Sequence, residues 1–440
     1  MEKTMTFITR RTALKLGLAG TAAMAVTSPA SALVQIVVGG GDFQPLPIAI
    51  PDFASSDPQF GHDIAEIVRA NLKRSGLFIP LDPATLPQRV GDVSATPDFA
   101  AWRGVSADAL VMGSVERGGQ IQSSARVWDT RQGAQVVGKS YSTDPNNWRR
   151  VAHIISDAIY ESLTGEGGYF DSRIVYTAES GPKANRVKRL AIMDQDGANS
   201  QYLTDGSTVS LTPRFAPNND LVAYLNMEEG NPRVFLLQLS TGRQQQLGAF
   251  GSMSFAPRFS PDGNSMVFSV ENSGATNLYS IALGGGQPQQ LTSGAAIDTS
   301  PCFSPDGRYI CFESDRGGSP QIYLMGVGGG GAQRISYGEG SYSTPVWSPK
   351  GDLIAFTRQS GGQFQIGIMK PDGSDERILM SSFHAEGPTW APNGRVIMFF
   401  QDPGGNDGPR LHTVDVWGRN LQVVPTETFA SDPAWSALRS

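Results

Sequence analysis

Four histidines, two cysteines and one glycine run are the residues of this 440-residue chain best suited to chemistry, and their spacing argues against most of it. His62, His153, His384 and His412 are scattered, the first two on segments that read as helices and as ordinary surface or half-buried side chains. No GxSxG nucleophile elbow occurs, so a Ser-His-Asp arrangement has little support, and no Cys or His group has metal-ligand spacing. GVGGGG at 326–331 spells GxGxxG, but it lies between two strand-like runs with no helix after it. It reads as a hairpin turn and not as a dinucleotide site. Cys302 and Cys311 flank a PDG turn and could face each other on a hairpin, where an oxidising compartment would permit a bond. The reading preferred here is two buried thiols, because Cys311 fills a slot held by Ala223, Val267, Ala355 and Met398 in neighbouring repeats. What remains is acidic. Asp298, Glu386 and Asp432 each fall just ahead of a recurring proline, and together they would make an electronegative funnel able to attract a basic partner or a hard cation such as calcium. Simple solvation of loop carboxylates is the alternative.

The elements that must carry these residues are announced by a repeat. PRFAPNND, PRFSPDGN, PCFSPDGR, PVWSPKGD and PTWAPNGR recur, and PAWSALRS closes the chain. The leading prolines are Pro213, Pro257, Pro301, Pro345, Pro388 and Pro433, at steps of 44, 44, 44, 43 and 45 residues. After each PDG-like turn comes an apolar alternation such as YICF or LIAF, and later a β-rich run such as IYLMGV or LHTVDV. In the third unit the strands are expected at 302–304, 309–314 and 322–327, with a last one ending at Ile335. Four strands in a period of this length are the mark of a β-propeller blade. Five periods are complete. The sixth is split, its later strands at 173–179 and 188–197 and its opening phrase at Pro433–Ser436, so the chain ends should clasp a six-bladed ring.

Ahead of the ring the composition changes. In GHDIAEIVRANLKRSGLF, Ile64, Ile67, Val68 and Leu72 recur at helical spacing and Gly76 marks a stop. ALVMGSVER and IQSSARVWDT read as a strand pair, and NNWRRVAHIISDAIYESLTG as a second amphipathic helix. The expected organisation is a small α/β domain over 42–165, then the propeller over 166–440. Residues 33–41, LVQIVVGGG, are a strand-former with a glycine hinge, either a strand of its own domain or a detachable strand offered to a partner's sheet edge. Arg10 and Arg11, a mild apolar run and Ala30-Ser31-Ala32 read as a signal peptide over 1–32, with TRRTALK resembling a twin-arginine signal. The expected compartment is the Gram-negative periplasm. A net charge of -6 gives no basic face for nucleic acid.

A signal peptide, a VQIVV start, a small α/β domain, the join GYFDSRIVYTAE and a six-unit PxWSPDG propeller ending in PAWS resemble the TolB family of the periplasmic Tol-Pal system. The resemblance covers essentially the chain from Leu33 onward, and its specificity lies in the domain order, since PD40-type (WD40-like) blade phrases also occur beside serine peptidases. It implies a non-enzymatic adaptor without a cofactor. Such an adaptor links inner-membrane TolA to the peptidoglycan-associated lipoprotein Pal and meets the outer membrane through its partners. It supports outer-membrane integrity and constriction during cell division. The resemblance places TolA on Leu33, Val34, Gln35, Ile36, Val37 and Val38. Pal falls on the propeller mouth, on loops that end here at Thr212, Ala256, Ser300, Thr344, Gly387 and Asp432 and that also carry Asp298, His384 and Glu386. Ala256 and Thr299 match the family pattern best, whereas Met253 stands where a basic or imidazole residue is common. The alternative is a secreted propeller enzyme or lectin using the central channel. That reading needs converging His and carboxylates, while Arg214 and Arg258 are the only charges in the innermost phrases.

Overall fold

The structure, a computed structural model, describes residues 36, 44–87, 92–228, 230–248, 250 and 253–439. The expected signal peptide, the glycine hinge, Leu33, Val34, Gln35, Val37 and Val38 lie outside the described residues. Among the described residues no helix is long and apolar enough to cross a membrane.

The first domain is a five-stranded sheet backed by helices. Strand β1 (Leu46–Ala49) runs parallel to β2 (Phe78–Pro80) on one side and β3 (Ala109–Arg117) on the other. The expected pair β3 and β4 (Ile121–Asp129) is antiparallel, and β5 (Ala134–Thr143) extends it. Helix α1 (Pro58–Arg74) begins where its sequence says it should: the Asp57 carboxylate accepts the Phe60 N–H and Pro58 supplies the preset first turn. It ends with Lys73 and Arg74 in its last turn, where cations suit the dipole, and with Gly76 at φ 74°. Helix α2 (Phe99–Gly104) is short, and α3 (Trp148–Thr164) stops at Gly165, φ 70°. Phe60, Ile64, Val68 and Leu72 of α1 and Val151, Ile155, Ile159 and Leu163 of α3 share one core with β1 and β3. Strands β1, β2 and β5 have no clear sequence signal. The first is set among prolines, and β5 alternates too weakly because much of it is exposed.

Six four-stranded sheets follow, the expected propeller. Blades 1 to 5 start with the innermost strands Ser210–Phe215, Ser254–Phe259, Asp298–Phe303, Ser341–Trp347 and Ala385–Trp390. Blade 6 joins Phe429–Trp435 to Arg173–Ser180, Val187–Asp194 and Gln201–Tyr202, so the last strand of the chain is the innermost strand beside the first.

One boundary differs from the sequence expectation and matters for the site. The innermost strand of blade 3 begins at Asp298 and not at Cys302, and Ser304 is already in the turn, its hydroxyl accepting the Tyr309 N–H at 3.0 Å. Each innermost strand contains a bulge. In blade 3 the pairing passes from Thr299↔Glu313 to Cys302↔Cys311, so Ser300 and Pro301 together oppose Phe312. The repeated proline therefore occupies a place where no ladder N–H is required. The residue before it takes the left-handed conformation in every blade: Thr212 (φ 46°), Ala256 (51°), Ser300 (52°), Thr344 (47°), Gly387 (68°) and Asp432 (49°). Five of the six carry a Cβ there, a conformation that costs energy and persists only where the surroundings impose it. These residues are consequently strand bulges, not the loop ends that the sequence suggested.

The first domain packs on the face bearing the PDG-like turns. Glu166 pairs with Arg395 at 2.5 Å and with Lys350, both in such turns, and Asn420 donates to the Arg74 carbonyl at 2.7 Å. The bulge face is the opposite one.

Candidate functional site at the propeller mouth

All six bulge residues line one cavity of about 250 Å³ in the central channel, with Arg214, Arg258, Thr299 and Glu386 beside them. The bulge explains why. A left-handed residue turns the strand's start inward, and six-fold repetition turns that local kink into a ring.

Polar groups hold the ring from blade to blade. Asp432 of blade 6 accepts the Thr212 N–H of blade 1, and Glu313 of blade 3 accepts the Thr344 N–H of blade 4. Within blade 4 the Thr344 and Thr357 hydroxyls bond at 2.8 Å. Burial pushes the Glu313 carboxyl up to about 7, with the Thr344 amide opposing and the Glu386 and Asp315 charges adding. Burial likewise raises Glu386, which His384 opposes and Asp432 reinforces, and raises Asp432. The funnel is therefore less negative at neutral pH than a count of carboxylates implies. Because the folded protein holds a proton on Glu313 that the unfolded chain releases near the ordinary glutamate value of about 4.3, its contribution to stability is full below that value. It is lost as pH rises through about 7. Glu313→Gln is expected to melt at a higher temperature than the parent at pH 8 and at the same temperature at pH 4. Thermal scans at the two pH values check this, and equal melting temperatures at pH 8 would refute it.

The expected site residues divide. Thr212, Ala256, Thr299, Ser300, Thr344, Gly387, Glu386 and Asp432 come together around the channel. Asp298 does not join the funnel: it is fully buried and both its oxygens accept from Arg316 Nη2, at 2.9 and 2.8 Å. That correction follows from the strand starting at Asp298, which turns a loop carboxylate into an inward-facing member of an ion pair. His384 stands over Glu386, Nε2 to Oε2 3.6 Å, and its ring packs 4.8 Å from Phe364 and 5.5 Å from Phe400. Met253 lies just before the innermost strand of blade 2, its carbonyl accepting the Glu271 N–H. Sequence reasoning missed Glu313, Ile297 and Phe383. The last two precede the innermost strands of blades 3 and 5 and are 48% and 70% exposed. Apolar residues flanking polar mouth positions were the available signal.

Elsewhere, Ile36 is buried against the first-domain core and donates its N–H to Leu163 O at 2.7 Å, using an end carbonyl of α3. His153 is not half-buried, as expected, but fully buried where α3 meets blade 6, with Asp194 and Asp196 oxygens 3.8 and 4.0 Å from Nε2. The group suits an ion poorly. Asn71 Nδ2 stands 3.0 Å from Nδ1, with the Asn71 oxygen taken by Arg74 and Gln195, so the proton sits on Nε2, and Arg149 and Arg439 already face the two aspartates.

Comparison with known families gives two matches. Residues 34–136 match the TolB amino-terminal domain and residues 160–439 the TolB beta propeller domain. The chain is similar to the crystal structure of TolB from Acinetobacter baumannii, with a TM-score of 0.81 and 27% identity over 92% of this chain and 100% of that one. Fold likeness alone extends further. Hydrazine synthase of Kuenenia stuttgartiensis matches with a TM-score of 0.51 and 14% identity, over 61% of this chain and 47% of that one. A chain of a nidogen/laminin complex matches with a TM-score of 0.50 and 8% identity, over 61% of this chain and 100% of that one.

Proposed function

The chain belongs to the TolB family, a non-enzymatic β-propeller family of the periplasmic Tol-Pal system, and on that premise we propose that it is an adaptor with two protein partners. The mouth holds the lipoprotein Pal, and the segment Leu33–Val38 engages TolA. Through these contacts the protein supports outer-membrane integrity and constriction during division, working by protein contact and without a cofactor. The observation that carries the reading is the ring of bulge residues opening away from the first domain, beside the exposed Ile297 and Phe383. An apolar rim around a preformed, polar-floored concavity suits a protein loop, because the rim supplies desolvation and the floor supplies orientation. Should the channel take a hard cation such as calcium, Glu386 and Asp432 are its nearest carboxylate donors, and Arg214 and Arg258 in the same cavity oppose it.

The two partner sites are coupled in this reading. Ile36 itself is docked on α3, so TolA must compete with that contact and the lipoprotein biases the choice. Deleting residues 33–41 is expected to abolish binding to the TolA domain while leaving the melting temperature within a few degrees. Surface plasmon resonance checks this, and undiminished TolA binding by the deletion would overturn it. Equal affinity for TolA with and without the lipoprotein would reject the coupling alone.

A further inference from the structure

In each blade the first residue after the repeated proline pairs with a residue of the second strand at one equivalent level of the ring. Blade by blade these pairs are Arg214↔Ala223, Arg258↔Val267, Cys302↔Cys311, Val346↔Ala355, Thr389↔Met398 and Ala434↔Val175. Only blade 3 places two thiols opposite one another, and blade 2 places a guanidinium in the adjoining slot. Among the described residues no carboxylate acts on the Arg258 charge. The two cysteines of the adjoining blade act on its charge.

We propose that Cys302 and Cys311, buried in the core between blades 3 and 4, form a thiol–disulfide exchange pair, with Arg258 as the group that favours the Cys302 thiolate. The geometry supports it in three ways. Paired residues on antiparallel strands have Cα atoms about 4.5 to 5.5 Å apart, inside the range of about 4.4 to 6.8 Å that a disulfide spans. As a directly paired set on adjacent strands, the two side chains lie on one face of the blade. The Trp347 N–H donates to Cys302 Sγ at 3.4 Å, while Cys311 Sγ donates to the Cys302 carbonyl at 3.5 Å. Cys302 Sγ lies 3.6 Å from the Phe303 carbonyl, to which its thiol form donates; the Trp347 N–H and the Arg258 charge favour its anion, while the Cys311 proton is held on the Cys302 carbonyl. The neighbouring Cys311 thiol, opposed by burial and joined by Arg258 and the Trp347 amide, draws the Cys302 thiol down to about 6; burial pushes Cys311 well up. This is the asymmetry of an exchange pair, an attacking thiolate beside a resolving thiol.

The step balances with a low-molecular-weight disulfide or a disulfide oxidoreductase as oxidant. The Cys302 thiolate attacks one sulfur of the oxidant disulfide and releases the other as a thiolate. Cys311 then loses its proton and attacks the Cys302 sulfur, expelling the second thiolate. Two electrons pass to the oxidant, which leaves as two thiols, and blade 3 keeps an S–S bond between its first two strands. Oxidation removes the anion that offsets Arg258, so the channel gains positive character in the oxidised form.

The test uses glutathione and does not depend on any protein partner. The full chain is equilibrated with glutathione disulfide, both natively and by refolding in the same buffer so that burial does not limit access. It is then unfolded and alkylated. The expected result is a loss of two hydrogens with no alkylation at Cys302 or Cys311. Cys302→Ser and Cys311→Ser are expected to give at most a glutathione adduct. Arg258→Gln should slow the native exchange about tenfold at pH 6.5, through a lower thiolate fraction. Two alkylated cysteines after refolding, a stable glutathione adduct on the parent chain, or a covalent dimer would each overturn the exchange site. An unchanged rate in Arg258→Gln would overturn the role given to that residue.

Discussion

A chain ending at Ala430 is expected to lose the cooperative melt of its propeller altogether. The residues removed include most of the innermost strand of blade 6, in which Ala434 pairs with Val175 and Trp435 with Ile174. Without them the strand Arg173–Ser180 becomes a bare edge with its ladder donors and acceptors unmatched. The side-chain losses are as large. The Trp435 indole N–H donates to Ser172 Oγ at 2.8 Å, its ring meets Tyr169 at 5.8 Å, and its main-chain N–H reaches Thr389 Oγ1 of blade 5 at 3.1 Å. Beyond it, Asn219 of blade 1 holds Ala437 from both sides. The strand therefore joins blades 5, 6 and 1. Trp435→Ala alone should cost about 3 to 5 kcal/mol, the usual loss for a buried tryptophan, a large share of a total stability of about 5 to 15 kcal/mol. Calorimetric scans of the two variants against the parent test this, and a truncated chain melting at the parental temperature would contradict the clasp.

The second large effect is on binding. Ala256→Glu together with Thr299→Lys should reduce affinity for the soluble domain of the lipoprotein by at least about a hundredfold, two central interface positions together worth about 3 kcal/mol. Ala256 already holds a Cβ at φ 51°, so the longer side chain adds to an existing direction without a new backbone demand. Its carboxylate would enter a cavity that contains Glu386 and Asp432. Thr299 pairs across the strand with Glu313, which a lysine there would engage, changing the shape and charge of the mouth together. The control is the melting temperature. A double variant that melts with the parent and binds as well as the parent would remove the mouth from the account.

How far the sequence led can be judged from particular residues. The prolines at 44-residue steps carried the ring, because a turn, a bulge and an aromatic core residue are all spelled by types with few substitutes. The conformation just before each proline was hidden. Thr, Ala, Ser and Asp have no preference for φ near 50° strong enough to announce it, and the ring that forces it is a property of six blades at once. Asp298 looked free because its partner Arg316 lies eighteen residues on, across the sheet. Glu313 looked like an ordinary outward strand residue until the bulge placed it against the Thr344 amide. The burial of His153 depends on how the first domain meets blade 6, which no periodicity within either domain encodes.

The central claim, that the mouth is a protein-binding site, is tested most directly by calorimetric titration of residues 33–440 with the soluble domain of the lipoprotein from the same organism. The account predicts saturable binding of one lipoprotein domain per chain, lost in the Ala256→Glu, Thr299→Lys variant. No heat and no complex with the intact protein, at concentrations where both partners are folded, would contradict it.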